Sequence, residues 1–263
     1  MYGQVYNVLK EFQLKVKKED TDAFNDTLAS ISRLQTIMQE IESQQEDKKN
    51  KYKKIVANLV PKLDAEINTL FDESQDAKYL DGANLDKMYD IIQELAEKET
   101  KFKQLEALKD TYNNYQMVLE TQLTVFENLE DCREQIVLRC LMWNSLDEWT
   151  QMNERWNKTQ FSLVDAPEIS KKADIFTKHC MRLEKNLPPN PIQEKLKTAV
   201  VTFKEAMPIV TALRNEMLGE HHWGQIKGLI KKDFDIAHED FTLEALIELE
   251  VNQFQEEITS IST

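Results

Sequence analysis

The chain has 263 residues, 30% charged and 41% hydrophobic, with a formal net charge of −14. That length supports one large or two modest cores, in a soluble folded protein rather than a disordered one. An acidic surface argues against general DNA or RNA binding. Five glycines and six prolines are too few for the turns of sandwiches, barrels or doubly wound sheets.

What remains is an all-α chain of long helices with few connections, coiled-coil-like where the heptad is sustained and packed as antiparallel bundles. Cys132, Cys140 and Cys180 are odd in number and far apart, so no disulfide framework is expected and a reducing compartment is. The first residues lack the basic and apolar regions of a signal peptide. No apolar run approaches the roughly 20 residues of a membrane helix.

In chain order, Val5, Tyr6, Leu9 and Phe12 make a short amphipathic helix or arm over residues 1–16. Asp20–Thr21 offers a cap for a second helix, expected to run to about Gln44. Its apolar stripe is Phe24, Leu28, Ile31, Leu34, Met38 and Ile41. The basic run Lys48–Lys54 reads as a solvated helix face rather than a phosphate or lipid patch.

Tyr52, Val56, Leu59, Leu63, Ile67 and Leu70 form the next stripe, with Pro61 inside it to kink or restart the helix. Residues 73–84 read as a loop turning at Asp81–Gly82. From Leu85 to Ile136 the pattern predicts one very long helix, or two with a break near residues 99–105. The expected helix through Leu141–Trp156 carries Trp143, Trp149 and Trp156 at steps of six and seven, core anchors rather than a base-stacking platform.

Asp165–Pro167 starts a helix that should end near Asn186, and Leu187–Pro188–Pro189–Asn190–Pro191 breaks it. Another helix should reach about Glu205, then kink or restart at Met207–Pro208. Gly219 is the expected helix stop. His222–Trp223 opens a short helix to Lys231, and Thr242 caps a last helix to Ser260.

No phosphate loop, nucleophile elbow or carboxylate dyad is legible, so no catalytic residue is expected. His179–Cys180 and His221–His222 are adjacent pairs whose members diverge by about 100° on a helix, a poor zinc geometry. No metal or cofactor site is expected.

The ordered anchors of residues 136–263 nonetheless form a pattern. They are Leu141–Met142–Trp143, Trp149, Trp156, Phe161, Leu187–Pro188, Met207–Pro208, Leu213–Arg214–Asn215, His222–Trp223, Phe241–Thr242–Leu243 and Phe254. This stretch resembles the N-terminal part of the linker region of dynein heavy chains. The Leu187–Pro191 break and Leu213–Arg214–Asn215 look more like axonemal than cytoplasmic heavy chains. One departure is His221, which stands where the family keeps an arginine, a titratable group in place of a fixed charge.

The resemblance implies an elongated stack of antiparallel helical bundles, with residues 1–130 as a helical tail bundle and 131–263 as the N-terminal part of the linker. It implies a non-enzymatic mechanical segment that joins the tail to the ATPase ring of a microtubule motor. The ATP and Mg of such a parent belong to a ring outside this segment. Implied partners are the rest of the heavy chain, intermediate and light chains, and possible other heavy chains or axonemal docking proteins. No nucleic acid and no membrane are implied. The implied place is the cytoskeleton, in the axoneme of a cilium or flagellum, or else the cytoplasm. Two competing readings of the same residues are a spectrin-like helical scaffold and a helical adaptor whose Lys48–Lys54 run binds acidic lipid.

Overall fold

The computed structural model describes residues 2–215, 217–232, 234–235, 238, 240–249 and 251–262. Nine α-helices occur among them: α1 (Tyr2–Glu11), α2 (Lys18–Ser74), α3 (Met88–Val118), α4 (Leu129–Lys158), α5 (Ala166–Asn186), α6 (Pro191–Leu213), α7 (Glu220–Ile230), α8 (Leu243–Glu248) and α9 (Gln255–Ile261). The β-structure of the described residues is one isolated antiparallel bridge, Gln160 with Thr242. The fold is all-α.

Packing divides the chain into two compact units, Met1–Lys62 with Lys109–Thr124, and Leu63–Leu108 with Val125–Thr263. These limits differ from the expected 1–130 and 131–263. Residues 63–108 join the second unit because Tyr79, Ile91 and Leu95 are buried in the same cluster as Trp143 and Trp149.

In the first unit, α1 rests on the start of α2. Tyr6 stacks on Phe24 at 3.9 Å, and its hydroxyl donates to the Asp20 carbonyl. Val56 and Val60 are buried. Tyr52, Ile55, Val56, Leu59, Tyr115, Val118 and Leu119 line an apolar groove of about 560 Å³. Of the apolar stripe on α2, Leu28, Ile31, Leu34, Met38 and Ile41 are exposed.

Helix α2 also corrects its expected ends. It starts at Lys18, so Asp20 lies in the first turn instead of capping it. It does not stop at Gln44, because residues 42–54 are mostly good helix formers without Gly or Pro. Pro61 does not restart it. An interior proline costs about 3 kcal/mol. Val60 and Leu63 beside it are buried, each in its own unit, and fully burying such a side chain yields about 1.5–3 kcal/mol. Pro61 itself faces solvent. The same balance carries α6 through exposed Pro208, between buried Met207 and buried Ile209 and Val210.

The long 85–136 pattern breaks at 119–128, not at 99–105. The stop is a Schellman cap without glycine. Glu120 takes φ 53°, its N–H reaches the Met117 carbonyl, and Thr121 N–H reaches Gln116. Buried Gln116 holds the turn from both sides. Its amide donates to Thr124 Oγ1 at 2.8 Å and its carbonyl accepts from Thr124 N–H at 3.0 Å. Lys49 closes on Glu120 at 2.6 Å, a surface ion pair of modest worth.

In the second unit, the segment read as a loop over 73–84 contains two 3-10 turns, Ala77–Leu80 and Gly82–Lys87. Asp76 and Asp81 cap them through their side chains. Tyr79 is fully buried there, and its hydroxyl donates to Glu94 at 2.5 Å. Burial alone would raise the Glu94 carboxyl, but hydrogen bonds from Lys78 and Tyr79 outweigh it and hold it below the usual range.

Helices α5 and α6 form a tight hairpin. Asn190 caps α6 by accepting from Gln193 N–H at 2.9 Å, and its amide donates back to the Pro188 carbonyl. Gly219 is not a helix stop. It is the N-cap of α7, since α6 already ends at Leu213. The expected last helix is instead α8, a 3-10 turn at Val251–Phe254, and α9. Glu250 lies outside the described residues.

Gly82 approaches Pro191 so closely that an added Cβ would stand 2.9 Å from the proline ring, whereas Gly224 in α7 has nothing within 4 Å. Gly82→Ala is therefore expected to destabilise by about 1–3 kcal/mol through overpacking. Gly224→Ala should stabilise by up to about 1 kcal/mol, the helix-propensity gain. Urea unfolding of both variants checks the opposite signs.

Candidate functional site

Helix α4 gathers the tryptophan anchors. The step of seven keeps Trp149 and Trp156 on one side, the step of six sets Trp143 about 120° around the helix, and all three pack into the same cluster. Trp143 is fully buried, and its indole N–H donates to the Tyr79 carbonyl at 2.9 Å. Trp149 is the centre. Edge-on contacts join it to Phe176 of α5 at 5.3 Å, Phe203 of α6 at 5.5 Å and Trp156 at 5.9 Å. Trp156 is half-buried and stacks on Phe203 at 5.3 Å.

A second group holds the end of α4 to the last helices. Phe161 N–H donates to the Phe241 carbonyl at 2.8 Å, and Leu243 N–H to the Thr159 carbonyl at 3.1 Å. The rings continue the clasp: Phe161 lies edge-on to Phe241 at 5.9 Å, Phe241 stacks on Phe234 at 5.4 Å, and Phe234 meets Trp223 at 6.4 Å. Thr242 caps α8 by accepting from Ala245 N–H. Leu243 is fully buried.

The segment Leu213–Arg214–Asn215 works residue by residue. Leu213 is buried, Arg214 Nε donates to the Val164 carbonyl at 3.0 Å, and Asn215 donates to the Ser262 carbonyl at 2.8 Å. His222 caps its own helix, its Nδ1 accepting from Gly219 N–H at 3.1 Å. His221 is exposed, against Gln225 at 3.2 Å. Leu187 is buried, while Pro188 and Pro208 face solvent. The two groups therefore collect Trp143, Trp156, Phe161, Trp223, Phe241 and Leu243 into one buried cluster, and leave Pro188, Pro208 and His222 at turns or surfaces.

Three features carry no sequence signal of their own: the carbonyl of Tyr79 beneath Trp143, the Arg214 bond to Val164, and Ser145 on His179 Nδ1 at 3.0 Å. Each joins residues 34 or more positions apart. Ser145 is buried mid-helix, so the pair packs α4 on α5. Burial pushes the Cys132, Cys140 and Cys180 thiols each up to about 11, which keeps them protonated at neutral pH and poor nucleophiles. Among the described residues, no three His, Cys, Asp or Glu side chains come together as a metal site.

Trp149→Ala is expected to cost about 3–5 kcal/mol, because the cavity opens between three helices. Trp149→Phe, which keeps an aromatic ring in place, should cost clearly less. Chemical denaturation of both checks this.

Burial lowers the His179 pKa, so the folded imidazole stays neutral where the unfolded one, near pH 6.5, takes up a proton. The unfolded state then binds more protons, and stability should fall as pH drops below about 6.5. His179→Asn should flatten that part of the stability profile.

The comparisons with known proteins fit this arrangement. The family described as dynein heavy chain, N-terminal region 2, matches residues 129–263, starting at the first residue of α4. Human dynein axonemal heavy chain 6 is 28% identical over 263 residues, 98% of this chain and 6% of its own length. The Chlamydomonas reinhardtii dynein-1-beta heavy chain of the flagellar inner arm I1 complex is 22% identical over 260 residues, again 98% of this chain and 6% of its own. Mouse dynein axonemal heavy chain 2 is 26% identical over 163 residues, 60% of this chain and 4% of its own. The chain thus spans about one-sixteenth of the first two relatives. Similarity reaches the first half as well, beyond the 136–263 expected from the anchors. The chain belongs to the dynein heavy chain N-terminal region 2 family.

Proposed function

We propose that this segment is a non-enzymatic mechanical element of an axonemal dynein heavy chain, joining tail to ATPase ring and transmitting force between them. The carrying observation is the anchor cluster. Trp149 ties α4 to the α5–α6 hairpin, and the Thr159–Phe161 and Phe241–Leu243 clasp ties the end of α4 to α8. A force-bearing element needs its helices to move together, and close-packed interiors transmit strain with little give.

Family membership and the names of the relatives, several of them axonemal or flagellar, support a place in the axoneme of a cilium or flagellum. In this reading the segment binds no ATP, Mg or other cofactor. Nucleotide chemistry belongs to the ring of the parent. Its partners are the remainder of the heavy chain, intermediate and light chains, and docking proteins of the axoneme.

The test places Trp149→Phe and Trp149→Ala in a full-length heavy chain of this family that glides microtubules. ATP turnover should survive in both, while Trp149→Ala should slow gliding several-fold. Equal loss of turnover and gliding, or unchanged gliding with the cluster opened, would contradict the mechanical role. ATP hydrolysis by the purified 263-residue chain would contradict the non-enzymatic one.

A further inference from the structure

The apolar groove of the first unit is open along its length. Tyr52, Ile55, Val56 and Leu59 line it from α2, and Tyr115, Val118 and Leu119 from α3, each set a single helical stripe. Val56 is buried, but Tyr52, Ile55, Tyr115 and Val118 remain 41–78% exposed. Isolated exposed apolar residues are ordinary, whereas four around one groove mark a surface that takes a partner. A trough between two helices has the shape that receives a third, filled by side chains at i, i+3, i+4 and i+7.

Charge says what such a helix carries. The chain is strongly acidic, with a net charge of −14, yet the rim of this groove is basic. At 3.6 residues per turn, Lys48 continues the row of Tyr52 and Ile55, and Lys51 and Lys62 lie on the outer flank, away from α3. All three are exposed, and none has an ion-pair partner among the described residues. Lys49 and Lys53 turn toward α3, where Glu120 already holds Lys49. The nearest acids of α2, Glu46 and Asp47, point about 130° away from the groove, and the α3 rim presents neutral Thr111 and Asn114.

We infer that this groove docks an amphipathic helix of another polypeptide, apolar on one face and acidic along the flank that meets Lys48, Lys51 and Lys62. Lys48 and Lys62 stand about 21 Å apart along α2 at 1.5 Å rise per residue, so the acidic flank runs for about four turns. A helix with a basic flank would fill the same apolar trough but set like charges together along its length. The groove therefore supplies the affinity, and the lysine rim selects among apolar helices by sign. A second copy of the chain and a lipid surface are the other occupants that the test separates.

The probe is a labelled synthetic helix of about three heptads, with Leu at a and d and Glu at e and g, beside a twin carrying Lys at e and g. Fluorescence anisotropy against the 263-residue chain should show saturable binding of the Glu peptide and binding of the Lys peptide weaker by about tenfold or more. Ile55→Glu with Val118→Glu should abolish binding, with helix content by circular dichroism unchanged, since both side chains are exposed. Lys48→Glu, Lys51→Glu and Lys62→Glu together should reverse the preference, so that the Lys peptide binds more tightly. Equal binding of the two peptides, binding of neither, or binding indifferent to the Ile55 and Val118 changes would overturn the proposal. So would a dimer of the chain alone that the Ile55 and Val118 changes dissociate, which assigns the groove to a second copy. Flotation with phosphatidylserine vesicles that the same changes abolish would assign it to lipid and overturn it equally.

Discussion

Trp149 has three rings around it, Phe176 from α5, Phe203 from α6 and Trp156 from its own helix. These contacts attach the α5–α6 hairpin to α4. Each aromatic pair adds about 0.5–1.5 kcal/mol beyond its area burial, so the cluster outweighs any surface ion pair of the same unit. Six residues earlier and about 120° around the helix, Trp143 reaches the other way, to the Tyr79 carbonyl. Two faces of α4 therefore hold residues 79, 176 and 203 in one buried cluster. That explains why the compact unit takes in residues 63–108 as well as 125–263.

Elsewhere, tertiary burial overrides local breaking signals. Two interior prolines, each worth about 3 kcal/mol against a helix, leave α2 and α6 continuous because their rings face out and their neighbours face in. Conversely, helix α3 stops where no glycine or proline marks the place. Glu120 adopts the left-handed conformation, and the side chain of Gln116 supplies the turn's remaining bonds. Gln13 and Lys231 also take positive φ just past α1 and α7: Gln13 sits in the same pair of backbone bonds, and Lys231 N–H reaches the Lys227 carbonyl.

That is why some of the architecture was legible and some was not. The all-α class, the Asp165 cap, the Leu187–Pro191 hairpin turn and the inward tryptophans all follow from periodicity and proline chemistry. The end of α3, the passage of α2 through Pro61 and the burial of Tyr79 depend on contacts distant in sequence, which periodicity does not encode. The stripe over Leu28–Ile41 shows the opposite failure. Its pattern is real, but a pattern says that a face wants cover, not that this chain supplies it. Among the anchors, Phe161, Phe241 and Leu243 were recognisable as a set, while the backbone bonds that clasp them were not.

A mechanical role requires that α4, α5 and α6 behave as one body. Native-state hydrogen exchange reads this directly, because helices that open together share one opening free energy. The account predicts that the slowest amides of α4, α5 and α6 exchange only through the global unfolding of their unit, with the same denaturant dependence. Exchange of the α5–α6 hairpin at a markedly lower free energy than α4 would mean that the Trp149 cluster does not join them, and would contradict it.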